Sequence, residues 1–387
     1  MTATPAVLAI AVFVATYFLI ATERVHRVAA AVGGVALMAI LGLVDTETAF
    51  YSERSGIDWN VIFLLFGMMI VVSILKQTGL FDYLAVWAGQ RSRGRPFRLM
   101  ALLMTVTAAA SALLDNVTTV LLMAPVALMV CRRLDLDPIP YLITLAFASN
   151  VGGAATLIGD PPNIIIASRA DLSFNDFLVH MTPIAILLQV LLLGLSWLLF
   201  RRRLDYGADH ADAVADLSPK DEIRDWPMLR KCLIVLALIM IGFSLHSVLH
   251  VQPSLIALLG AWLMVLVTGA NPAQFLEEVE WPTLAFFMAL FVLVGGLVET
   301  GVIGALGEAA VEATGDRSFL AATALLFGSA VLGAFVDNIR TRPRWHQWSR
   351  TSWRRCPPAR ANRCGGRSPS VPTSAATRRR WRPVPTS

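Results

Sequence analysis

Charge is scarce in this chain: Asp, Glu, Lys and Arg make up 15% of its 387 residues, against about 25% in an average soluble domain. Hydrophobic residues reach 56% and the mean hydropathy is +0.64, which excludes an ordinary solvated globule and points to lipid. Cysteine is nearly absent. Cys131, Cys232, Cys356 and Cys364 have neither zinc-ligand spacing nor the density of a disulfide scaffold, so they read as structural or incidental. A Gly-Lys-Ser/Thr ending is lacking, which disfavours a phosphate loop. His180, His246 and His250 lie near the ends of apolar runs without a partner pattern and are assigned no role. No enzyme and no cofactor is expected, apart from a coupling ion, H+ or Na+. The first apolar run leads into Thr22, Glu23 and Arg24 rather than a small-residue cleavage site, so the first helix is expected to be retained.

What is present is a series of apolar runs, at residues 6–21, 28–43, 61–75, 184–200, 232–248, 255–268 and 283–298, long enough to cross a bilayer or most of one. The expected fold is an all-α polytopic membrane protein of the inner (plasma) membrane. Basic residues flank the runs on alternate sides and record orientation. The loops at 24–27, 76–98, 132–133 and 201–230 are basic and read as cytoplasmic; those at 45–58 and 300–316 are acidic or neutral and read as external. The N-terminus is thereby placed outside, with an interfacial helix at 80–89. Residues 97–131 begin and end among arginines, which implies either two short spans or a re-entrant hairpin with its tip at Asp115 and Asn116.

A repeat runs through the chain. Ile57-Asp58-Trp59 answers Val279-Glu280-Trp281, Thr78-Gly79 answers Thr300-Gly301, and Asp115-Asn116-Val117 answers Asp337-Asn338-Ile339, all at an offset of 222. If 97–131 is re-entrant, the first half crosses an odd number of times and the second enters upside down, the inverted-repeat plan of many secondary transporters. The expected divisions are a first transmembrane repeat at 1–201, a charged cytoplasmic linker at 202–230, an incomplete second repeat at 231–339 and an aberrant basic tail at 340–387.

That tail accounts for the basic balance of the chain. It holds 13 Arg with no Lys, Asp or Glu, so the remainder carries −8, the overall +5 less 13. It also lacks Leu, Ile, Met and Phe. One account is a disordered basic arm for a nucleic-acid or lipid surface. The other is a frameshift: with one nucleotide lost near Ile339, permitted codons for residues 340–349 hide Pro-Tyr-Thr-Ala-Thr-Met-Ala-Pro-Val-Val. Residues 118–127 read Thr-Thr-Val-Leu-Leu-Met-Ala-Pro-Val-Ala. Further on, 365–387 hide a Gly-Gly-Asn-Ala-Thr that matches Gly152-Gly153-Ala154-Ala155-Thr156. Agreement at two motifs favours the frameshift, and no nucleic-acid partner is expected.

Asp115 and Asn116 interrupt an apolar stretch. An ionisable group at bilayer depth is costly and marks function by default, although both residues could simply cap the turn. Carboxylates held in low dielectric can bind a cation or exchange a proton. The stretch from Ser149 to Asn163 has too many helix breakers for a continuous helix and reads as unwound. Gly152, Gly153 and Gly159 would let backbone approach a solute, while Ser149, Asn150, Thr156 and Asn163 offer uncharged donors and acceptors. A Gly-rich packing surface between helices is the other reading.

These motifs, Asp-Asn-Val-Thr-Thr with Met-Ala-Pro at 115–125 and Ala-Ser-Asn-Val-Gly-Gly-Ala-Ala-Thr-Leu-Ile-Gly-Asp-Pro-Pro-Asn at 148–163, resemble the ArsB-type arsenite permeases and the related P-protein branch of the ion transporter superfamily. That superfamily also includes citrate and dicarboxylate carriers and some sodium/proton antiporters. The resemblance covers residues 1–339. It implies a scaffold, a mobile transport domain with one hairpin per repeat, elevator-like alternating access and a homodimer in the lipid bilayer. The substrate or ion site it implies comprises Asp115, Asn116, Thr118, Thr119, Ser149, Asn150, Gly152, Gly153, Thr156, Gly159, Asp160 and Asn163, with Asp337 and Asn338 of the second repeat. The leading expectation is secondary transport of a small inorganic ion or neutral oxyacid, as in arsenite or antimonite efflux. Sodium/proton antiport or anion/dicarboxylate transport is the runner-up, and a truncated, non-transporting membrane protein is the alternative of another class.

Overall fold

The computed structural model describes residues 3–22, 24–170, 172–201, 219–314, 322–324 and 326–329, and among these the chain is helical throughout, without strands. The first half comprises α1 (Ala3–Ala21), α2 (Arg27–Ile40), the short α3 (Thr46–Phe50), α4 (Trp59–Gln77), α5 (Leu80–Ser92), α6 (Pro96–Ser111), α7 (Asn116–Arg133), α8 (Pro138–Gly153), α9 (Pro161–Arg169) and α10 (Phe174–Phe200). A 3-10 turn at Pro219–Glu222 leads to α11 (Trp226–Leu249), α12 (Pro253–Thr268), α13 (Pro272–Glu277), α14 (Trp281–Glu299) and α15 (Val302–Thr314). Six helices are long and apolar enough to cross a membrane, and the chain is an integral, polytopic membrane protein. Leu187, Leu191, Leu198 and Leu199 stand exposed along α10, where only an apolar surround removes them from water.

Local sequence sets the helix boundaries. Proline fills the first turn of α6, α8, α9, α11, α12, α13 and α14, where its missing N–H costs nothing. Asp58, Asp115, Asp137 and Asp225 cap α4, α7, α8 and α11, each accepting from a backbone N–H of the first turn. Helix α11 starts within the stretch assigned by sequence to the linker, because Asp225 and Pro227 together nucleate it at Trp226. The helix at 80–92 buries Phe81, Ala85, Val86 and Ala88 against α6, α7 and the 3-10 turn, so it is packed into the protein.

The repeat is structural. Helices α4 and α5 have the same bounds as α14 and α15 at the offset of 222, and the intervening Gly79 and Gly301 both take positive φ, 81° and 76°. The equivalent helices run in opposite directions. Lys76 at the end of α4 pairs with Glu278 just before α14 at 3.2 Å, while Ser55, just before α4, donates a 2.6 Å hydrogen bond to Glu299 at the end of α14. Each half also lends a helix to the other: α12 packs against α4 and α2 against α14. Gly67 lets α12 lie close on α4, since a Cβ there would come within 2.8 Å of the Ala257 backbone.

Gly79 supplies a stability test. Its φ is open to L-residues only at about 1–2 kcal/mol, and a Cβ there would lie 2.1 Å from the Glu222 carbonyl oxygen. Gly79→Ala is expected to lower the thermal unfolding midpoint in detergent and to detach the 3-10 turn. Gly33→Ala, where a Cβ meets nothing within 4 Å, is expected to leave the midpoint unchanged or raised.

Candidate functional site

Residues 97–131 form a helical hairpin. Helix α6 of 16 residues and α7 of 18 residues are joined at 112–115. Helix α8 runs beside both: Tyr141 Oη donates to the Pro96 carbonyl near one end, and Ser111 Oγ donates to the Ser149 carbonyl at the tip. Gly152 makes this fit possible, because a Cβ would fall 2.2 Å from the Ala108 carbonyl oxygen.

The stretch predicted to be unwound from Ser149 to Asn163 is unwound only at 154–160. Ser149 to Gly153 complete α8, and Pro161 to Asn163 begin α9. The difference has a physical cause. Gly152 and Gly153 are used in the helix for close packing against α6 and Gly159, and that packing outweighs their poor helix propensity.

The break is satisfied by side chains. Thr156 Oγ1 donates to the Ala112 carbonyl and accepts from Gly159 N at 3.1 Å. Asn163 Nδ2 donates to the Gly153 and Thr156 carbonyls at 3.1 and 3.0 Å, and Thr182 Oγ1 of α10 donates to Ala155 O at 3.0 Å. Ser149 Oγ donates to the Asn116 carbonyl at 2.7 Å, and Asn116 Nδ2 donates to Asn150 Oδ1 at 3.1 Å. The fold therefore brings Asn116, Ser149, Asn150, Gly152, Gly153, Thr156, Gly159 and Asn163 into one knot that ties the hairpin tip to the broken helix. Asp160 precedes α9 at its N-cap position. Thr119 is fully buried and its Oγ1 donates to the Asp115 carbonyl.

Asp115 faces elsewhere. One carboxylate oxygen accepts from Thr118 N at 2.8 Å, and the amide dipole of α7 favours the negative charge. With Thr118 it lines a cavity of about 120 Å3 closed by Ser73 and Lys76 of α4 and by Glu278 and Glu280 ahead of α14. Sequence reasoning missed these last four residues. Lys76 had served only as a topology marker, and nothing in the sequence pattern places α4 against residues more than 200 positions away. Asp337, Asn338 and the tail lie outside the described residues.

Among the described residues, no group of three or more His, Cys, Asp or Glu side chains is spaced to hold a metal ion. The cavity instead offers one lysine ammonium among three carboxylates, with two hydroxyls. Such a lining suits a monovalent cation or a proton better than an anion.

The family model described as "Citrate transporter" matches residues 17–341. A protein of Mycobacterium tuberculosis named as an uncharacterized transporter is 51% identical over 334 residues, which is 86% of this chain and 78% of the relative. The "46 kDa membrane protein" of Mycobacterium leprae is 48% identical over 333 residues, again 86% and 78%. The P protein of mouse is 34% identical over 409 residues, covering 86% of this chain but 49% of that larger protein. The chain is a membrane transporter and belongs to the citrate transporter family.

Proposed function

We propose that this protein is a secondary transporter of a small inorganic solute, arsenite or antimonite in the efflux direction, coupled to H+ or Na+ through Asp115. The observation that carries the reading is the Asp115 carboxylate at a helical hairpin tip, lining a cavity against α4 in a citrate transporter-family chain. A carboxylate there removes the electrostatic welcome for an anion. A neutral oxyacid would be held by hydroxyls, amides and backbone, since no cysteine lines the cavity. The family description favours a second reading, carriage of a carboxylate or other anion, and that reading requires the cation to bind first. Sodium/proton antiport needs the same carboxylate and no second solute.

In this reading residues 1–201 and 231–339 are the two repeats, with 202–230 in the cytoplasm. The hairpin, α8 and α9 move as one body against the scaffold that holds α4 and α14. The hairpin tip lies beside the last two turns of α4, Met69 to Lys76. The tail at 340–387 is the product of a frameshift after Ile339, a reading that rests on the hidden Met-Ala-Pro and Gly-Gly-Asn-Ala-Thr motifs. In this reading the frame-restored protein carries out the transport, and in this chain the tail takes the place of what the second repeat would add to the site; a truncated, non-transporting membrane protein is the alternative reading.

Three results test the reading. Restoring one nucleotide at the Ile339 codon boundary is expected to convert a chain that confers no arsenite resistance into one that does; equal resistance from both chains contradicts it. In the restored chain, Asp115→Asn is expected to reduce coupled transport to background with membrane expression largely retained, whereas transport at the normal rate would leave Asp115 as a helix cap. Cysteines placed beside Arg95 and Arg133 are expected to react with reagent supplied from the cytoplasm, and labelling only from outside overturns the topology.

A further inference from the structure

We propose that the cavity between α4 and α7 is a monovalent-cation site in which Ser73 supplies a ligand and Lys76 acts as a tethered competitor for the same carboxylate. The proposal rests on the assignment of Asp115 as the coupling carboxylate and extends it to the scaffold side. Ser73 is the pointer. It is 4% exposed, it lines the cavity, and its Oγ has no hydrogen-bond partner among the described residues. A hydroxyl inside a helix usually donates to the carbonyl one turn back, as Thr16, Thr105, Thr144, Ser244 and Thr268 do here. A buried hydroxyl left without a partner costs free energy that a ligand recovers.

Charge completes the argument. Lys76 Nζ is held by Glu278 at 3.2 Å, and both line the cavity together with Asp115 and Glu280. Glu280 accepts from Thr283 Oγ1 at 2.9 Å, and Asp115 accepts from Thr118 N, so each carboxylate is only partly satisfied by the protein. With a cation between Asp115 and Ser73, Lys76 remains on Glu278. With the cation gone, the flexible four-carbon stem lets the ammonium swing to Asp115 and neutralise it. The scaffold side of the device is not repeated at the equivalent positions. At the offset of 222, Ser73 and Lys76 correspond to Gly295 and Val298, and a Cβ at Gly295 would lie 1.8 Å from the Ser55 carbonyl oxygen, so the second half has no room for the same side chain. The carboxylates are also too dispersed for a divalent cage.

Sodium binding to the purified full-length chain is the test, read as the rise in thermal unfolding midpoint when NaCl replaces choline chloride at constant ionic strength. The expected result is a sodium-dependent rise that Asp115→Asn abolishes. Ser73→Cys, which keeps the volume, should weaken the apparent sodium affinity about 3- to 10-fold. Lys76→Gln, at a half-exposed position, should tighten it by roughly tenfold by removing the competitor. If sodium stabilises the parent chain while Ser73→Cys and Lys76→Gln titrate as it does, the inference is overturned and the role of Asp115 survives. No sodium-specific rise in the parent chain also overturns it, and transport by the frame-restored Asp115→Asn variant then decides separately whether Asp115 couples to protons.

Discussion

In hydrocarbon every backbone N–H and C=O must find a partner within the protein, and a helix that stops at membrane depth exposes several at once. The break at 154–160 is the place where this chain meets that demand, and much of its surroundings follows from how the demand is met. Asn163 and Thr182 take up carbonyls freed by the break, Thr156 and Ser149 take up the Ala112 and Asn116 carbonyls at the hairpin tip, and Ser111 takes up the Ser149 carbonyl of α8. The hydrogen bonds join α6 and α7 to α8, the 112–115 connection to the break, and the break in turn to α9 and α10. They make the hairpin and the broken helix one mechanical unit, and a unit of that kind can move without leaving orphaned polar groups behind.

The repeat supplies the surface against which the proposed unit would move. Helices α4 and α14 run antiparallel at the centre, each covered by a helix from the opposite half, so neither half can form its core alone. Symmetry of this kind gives two equivalent faces, and the sequence then makes them unequal. One face carries Ser73 and Lys76; the other carries Gly295 and Val298 and packs so closely on Ser55 that a side chain is excluded. The carboxylate, the hydroxyl and the ammonium consequently meet on one side only.

Much of this was legible in the residues themselves. The apolar runs at 61–75 and 283–298 fall inside the two central helices, which share the offset of 222, and the Asp115-Asn116 interruption located the hairpin tip, because polar residues in an apolar run have few physical explanations. The extent of the break was not legible. Glycine propensity argued against helix at Gly152 and Gly153, whereas tertiary contact with Ala108 decided in its favour. Of the polar residues read as solute ligands, Thr156 and Asn163 also bond the backbone of the break and Ser149 that of the hairpin tip, and donors and acceptors of both kinds look alike in sequence. The cavity at Asp115 was hidden for another reason: its walls come from α4 and the α13–α14 connection, and long-range contact leaves no local pattern.

The account turns on the hairpin docking against α4 and leaving it during transport. Cysteines replacing Val72 and Leu122, which line the same cavity, measure this directly in the frame-restored protein. Oxidation should cross-link the pair and arrest transport, reduction should restore it, and solute with a driving cation gradient should lower the cross-linked fraction. A pair that never links, or that links while transport continues unchanged, would contradict the account.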